Sequence, residues 1–144
     1  MDLINLLGIT GAITVATLFG SMAFFSCVVA PLVFIELDAA TAGRFIRRIF
    51  PWYYAVIATL SLIATLSFAA TLPVDAITMG LVFIVACVSR QILMPRINRQ
   101  SDAVAQGDIS AQGSFDRLHR ISVIINAAQM IAVFCILFRS LSQQ

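Results

Sequence analysis

Four long apolar stretches separated by short polar breaks set the pattern of this chain. Residues 3–35 carry no charged side chain. A hydrocarbon core of ~30 Å is crossed by about 20 helical residues, so this stretch is long enough to span with some tilt. The apolar runs predict spans at about 8–35, 52–72, 76–95 and 117–138. The expected fold is all-α and polytopic, a four-transmembrane-helix bundle forming a single integral membrane domain over residues 1–144. The chain opens on Met1, Asp2 and Leu3 without a basic segment, and its apolar run is too long for a cleavable signal peptide. It is expected to remain as the first span.

Between the first two runs the period changes. Ala42, Phe45, Ile46, Ile49 and Phe50 share one helical face and Arg44, Arg47 and Arg48 turn away from it, which predicts an amphipathic helix on the cytoplasmic membrane surface before helix 2. Pro51 is expected to break this helix from the second span, and Trp52, Tyr53 and Tyr54 to form an interfacial aromatic belt. Pro31 should kink or end the first span near Glu36 and Asp38. A tight turn at 72–75 makes spans two and three antiparallel neighbours, with Asp75 placed to cap the third helix. Gly107 is expected to stop that helix, residues 108–113 to form a flexible link, and Ser114 to cap the fourth helix, with Asp116 in its first turn. The tail at 140–144 is expected to fray.

Two patterns mark candidate surfaces. Gly8, Ala12, Ala16 and Gly20 recur every fourth residue, a groove that admits another helix of this chain or of a second copy. Phe115, His119, Ser122, Asn126, Gln129 and Val133 fall on one stripe of the fourth span, while Ile121, Ile124, Ile125 and Ile131 lie elsewhere. A polar stripe in an apolar helix should face protein or water, because hydrocarbon offers its groups no partner. In the third helix Cys87, Gln91, Met94, Asn98 and Asp102 share a face. Gln91, Asn98 and Asp102 can therefore meet His119, Ser122, Asn126 and Gln129 in a polar mouth between helices 3 and 4, approached by Glu36, Asp38 and Arg44 to Arg48 from the first loop. The same residues could equally serve as hydrogen-bonding glue between helices. His119 is a candidate proton relay.

Composition agrees with the membrane reading. The chain is 60% hydrophobic and 11% charged, with mean hydropathy +0.99, whereas soluble domains are about half apolar and a quarter charged. All nine basic residues are arginines. Arg44, Arg47, Arg48 and Arg120 read as headgroup and topology anchors, and eight of the nine fall in or beside loops 36–51 and 96–116. Those loops are expected to face the cytoplasm from the cell (inner) membrane, with both termini outside. Their scatter carries no nucleic-acid motif.

Cys27, Cys87 and Cys135 sit in apolar helices without a C-x-x-C pair and read as small buried hydrophobes. A sulfur path for a metal with Met22, Met79, Met94 and Met130 is the alternative. One histidine cannot supply paired axial ligands to a haem, and no metal-binding spacing, nucleophile elbow or phosphate loop is present. No catalytic residue, metal or cofactor is expected.

Three pieces together resemble a known family. They are Pro31 to Phe34, the run from Phe45 to Tyr54 with Phe50, Pro51 and Trp52, and the pairing of Arg96, Asn98 and Asp102 with Phe115, His119, Ser122, Asn126 and Gln129. The chain resembles the eukaryotic transmembrane protein 205 and its small bacterial relatives, a family catalogued mainly as a domain of unknown function. The resemblance implies a four-helix membrane protein, and a link of eukaryotic members to platinum-drug resistance implies export or trafficking. The expected function is a small transporter or channel-like protein for a small polar solute or cation. The alternatives are a non-catalytic membrane scaffold or assembly partner and, behind it, a cofactor-bearing membrane enzyme. Expected partners are the lipid bilayer and a second copy or another membrane protein.

Overall fold

The computed structural model describes residues 2–142. Among them the chain forms four long helices and no strand: α1 (Leu3–Glu36), α2 (Ala39–Phe68), α3 (Pro73–Ala105) and α4 (Ile109–Ser142). All four are long and apolar enough to cross a membrane. At 1.5 Å per residue each runs about 45–50 Å, so its ends project beyond a ~30 Å hydrocarbon core. The helices pack as α1 on α2, α2 on α3, α3 on α4 and α4 on α1, an up-and-down square bundle that places α2 and α4 on opposite corners.

Several hydroxyl groups bond to the carbonyls of their own helices. Thr10, Thr14, Thr17, Ser21, Thr65 and Thr78 each donate to the carbonyl four residues back over 2.7–2.8 Å, which lets hydroxyls sit in an apolar medium. Gly11, Ala64, Phe68 and Ala76 are buried toward the end holding the α2–α3 turn, where the Phe68 ring covers Gly11. Phe25, Tyr53 and Tyr54 are buried nearer the middle of the bundle. The bundle is packed closed at the turn end and holds a cavity at the end where the arginines gather.

The boundaries depart from the sequence pattern in several places. Pro51 does not break α2, which runs unbroken through it. A proline removes one N–H and leaves one carbonyl free, and the turn of helix below holds the remaining bonds. Pro31 lies within α1, which ends at Glu36, where the sequence placed its end. A wide π turn at Phe25–Val29 precedes this proline, and a second one at Ser89–Leu93 precedes Pro95 at the same offset. The widened turn absorbs the carbonyl that each proline ring displaces.

The link at 108–113 is helical. Asp108 rather than Ser114 starts α4, its carboxylate accepting from the Ser110 N–H at 2.9 Å and the Ser110 hydroxyl at 2.6 Å. Asp75 does not cap α3: the turn lies earlier, α3 begins at Pro73, and Asp75 pairs instead with Arg139 of α4. Gly107 ends α3 with φ 92°, in the left-handed region that glycine favours. Of the expected frayed tail, 140–142 is helical and 143–144 lies outside the described residues.

Candidate functional site

The polar stripe of α4 faces the bundle. Asn126 and Ser122 are half-buried and Gln129 and Val133 buried, while Ile121, Ile124 and Ile131 are exposed. At the arginine-rich end it borders a cavity of about 280 Å³ walled by all four helices. α1 contributes Phe25, Ser26, Ala30 and Phe34, and α2 contributes Ile46, Arg47, Phe50, Tyr53 and Tyr54. Met94, Ile97 and Asn98 come from α3, and His119, Ser122, Val123 and Asn126 from α4. From His119 at the rim to Asn126 is two turns of helix, so the cavity reaches roughly 10 Å inward.

Asn126 closes the floor. Its Oδ1 accepts from the Tyr53 hydroxyl at 2.6 Å and its Nδ2 donates to Ser26 Oγ at 3.0 Å, tying α4 to α2 across the diagonal and to α1 beside it. Tyr53 is held by stacking on Phe25, ring centroids 4.2 Å apart, with Phe50 edge-on to both at 5.5 and 5.9 Å. Below the floor Gln129 donates to the Val82 carbonyl at 3.0 Å, while its Oε1 and the buried Ser89 Oγ have no hydrogen-bond partner. Val133 and Ile136 then fill the core. The polar line stops there, so the cavity is a pocket open at one end.

At the rim, Arg47 Nη2 donates to the Asn98 carbonyl at 3.3 Å and lies 2.7 Å from an Asp102 carboxylate oxygen. This α2–α3 bridge is exposed (41% and 51% for the two side chains), so it contributes about 0–1 kcal/mol. His119 stacks on Phe115 at 5.9 Å with its ring at the mouth, and Ser122 donates to the His119 carbonyl at 2.7 Å. In the two loops at this end, Asp38 and Asp108 are held below the ordinary carboxylate range. The Thr41 side chain and then its N–H stabilise the Asp38 anion, and the Ser110 hydroxyl and then its N–H stabilise that of Asp108.

The candidates from sequence thus divide. His119, Ser122, Asn126 and Asn98 come together around the cavity, Gln129 lies beneath it, Asp102 braces its rim from outside, and Gln91 is exposed away from it. Glu36 and Asp38 are exposed and do not line it. Arg47 lines the cavity, whereas Arg44, Arg48 and Arg120 are exposed around it.

Tyr53 was expected in an interfacial belt but is 8% exposed, against 75% for Trp52. The signal was present, since Tyr53 lies one turn beyond Phe50 on the inward face of an uninterrupted α2. Ser26 carried no such signal. The buried seam of α1 runs through Gly11, Val15, Leu18 and Met22, while Gly8 and Ala12 are half-buried beside it, Ala16 and Gly20 are exposed, and a side chain at Gly8 or Gly20 would meet open space. Cys27 and Cys135 are exposed rather than buried and Cys87 is half-buried, all three as free thiols. Among the described residues no group of three or more His, Cys, Asp or Glu could hold a metal ion.

Fold and site define a four-helix membrane protein with a blind, mixed-polarity pocket at its arginine-rich end. Residues 13–105 match the family described as a domain of unknown function, DUF4149, and the chain belongs to that family. No curated protein and no solved structure matches it. The matched segment contains the α1, α2 and α3 walls of the cavity.

Proposed function

We propose that this protein is a small membrane carrier, non-catalytic, that binds its solute in the cavity at the arginine-rich end and faces the cytoplasm with that end. The observation that carries the reading is the floor: Tyr53, Asn126 and Ser26, drawn from three helices, close a pocket that no single packing seam requires. A closed floor favours a carrier over a continuous channel. A small polar solute or cation was the reading from sequence, and the apolar walls now shift weight toward a solute with an apolar part. The resemblance to transmembrane protein 205-like proteins, with its export or trafficking link, is in keeping with a carrier.

The test is flux in liposomes preloaded with a panel of small organic anions, cations and neutral solutes. Ser122→Trp, which fills the cavity from α4, should abolish movement of the transported class, and His119→Ala should slow it. Equal flux in wild type and Ser122→Trp would end the proposal. Sidedness is read by placing a single cysteine at Gln106 in a chain with Cys27, Cys87 and Cys135 replaced by alanine. Labelling of intact cells by an impermeant maleimide would overturn the cytoplasmic orientation.

A second reading has one observation in its favour. Ala16 and Gly20 are exposed and Gly8 and Ala12 only half-buried, a face that suits a homodimer or a partner helix of a membrane assembly. Gly20→Leu should then change the oligomeric state in detergent, and an unchanged state counts against it.

A further inference from the structure

We infer that the cavity selects a short amphiphilic anion, with a carboxylate or phosphate head at Arg47 and a compact apolar body against the aromatic walls. This rests on the reading of the cavity as a binding site. Its walls are Phe25, Phe34, Phe50, Ile46 and Ile97, while its donors cluster at the rim and floor. A hydrated ion placed there would lose water to walls that offer nothing in exchange.

The sign of the head group follows from charge. The arginine-rich end carries Arg44, Arg47, Arg48, Arg90, Arg96, Arg99, Arg117 and Arg120 against Glu36, Asp38, Asp102, Asp108 and Asp116, so it attracts anions and repels cations. Arg47 uses only Nη2 for its contacts with Asn98 and Asp102, leaving the rest of its guanidinium fork for a planar or tetrahedral anion. Because the Asp102 pairing is exposed, an incoming head can replace that carboxylate. The exchange removes the Asp102 half of the α2–α3 bridge and so couples binding to the rim.

A volume of about 280 Å³ suits a body of about eight carbons and does not enclose a whole diacyl lipid. With its mouth among the arginines and the loops of that end, the site is assigned to a free anion entering from the aqueous side.

The experiment places the full chain in phosphatidylcholine nanodiscs and titrates octanoate, octanol and octylammonium, reading thermal unfolding against empty-disc partitioning. Octanoate should raise the unfolding temperature saturably and octylammonium should not. Arg47→Gln should weaken octanoate by about tenfold and leave octanol unchanged, the loss of one charge-assisted fork. Asp102→Asn should tighten octanoate by about two- to fivefold through removal of the competing carboxylate, an effect that loss of a merely structural bridge would not produce.

Octylammonium binding as tightly as octanoate overturns the inference, as does an octanoate response unaltered in both variants or no saturable response in the wild type. Loss of octanoate binding in phosphatidylglycerol discs identifies a lipid head as the occupant and overturns the free-anion assignment. Saturable octanoate binding without octanoate flux in liposomes removes the carrier reading and leaves this one standing. Flux of an inorganic cation blocked by Ser122→Trp does the reverse.

Discussion

The Tyr53 hydroxyl donates to Asn126 Oδ1 over 2.6 Å, joining residues 73 positions apart in the chain and on opposite corners of the bundle. Replacing Tyr53 by Phe leaves Asn126 Oδ1 without its donor and should cost about 0.6–1.5 kcal/mol in reversible unfolding in mixed micelles. Asn126→Ala removes the bonds to both Tyr53 and Ser26 and should cost about 2 kcal/mol. The double variant should fall short of the sum, and strict additivity would show that the two side chains do not act as a unit.

Gly11 is held to glycine by a neighbour. A Cβ there would stand 2.3 Å from the Phe68 ring, which is itself buried. Gly11→Ala should destabilise by about 1–3 kcal/mol, and Phe68→Leu in the same chain should recover part of that loss. Gly20→Ala, with open space around it, is the control and should leave unfolding unchanged within about 0.5 kcal/mol.

At the closed end, Arg139 pairs with Asp75, whose side chain is 9% exposed against 46% for Arg139. Arg139→Gln strands a buried carboxylate, whereas Asp75→Asn leaves an arginine that can turn toward water or headgroups. The first should cost about 2 kcal/mol, less than a fully buried pair because Arg139 is half-exposed, and the second about 1 kcal/mol. Equal losses in an unfolding titration would remove the asymmetry.

Asp38 and Asp108 accept hydrogen bonds at the starts of α2 and α4, and both carboxyls lie below their ordinary value in the folded chain. A lowered folded value means that the stabilisation is fully present above the ordinary carboxylate range and is lost as pH falls through the lowered one. The protection of the Thr41 and Ser110 amides, measured against the intrinsic exchange rate at each pH, should fall on acidification across that window. Asp38→Asn and Asp108→Asn should each flatten the response at their own helix and leave the other untouched.

The membrane setting of the helices and the inward face of α4 were legible in the sequence because both depend on one rule, that hydrocarbon solvates no polar group. His119, Ser122, Asn126 and Asn98 could be gathered from helical spacing alone. Spacing could not show that Asn126 would be fully engaged by Tyr53 and Ser26, since such partners depend on the rotation of three helices about their axes. Pro51 misled for a related reason. In water a proline marks a boundary, but a buried or lipid-facing helix has nowhere else to place its carbonyls and continues through a widened turn or a single missing bond. Ser114 lost its expected capping role to Asp108 because Gly107 had already reversed the chain.

The Phe68 ring seated on Gly11 fixes how closely α1 and α2 approach at one end of the bundle. Gly11 and Phe34 lie 23 positions apart on α1, or roughly 35 Å along its axis, so an angular difference of about 5° at that contact corresponds to about 3 Å at the opposite tip. Phe34 lines the cavity, so the absence of one side chain near the turn bears on the width of a mouth at the far end of the helix.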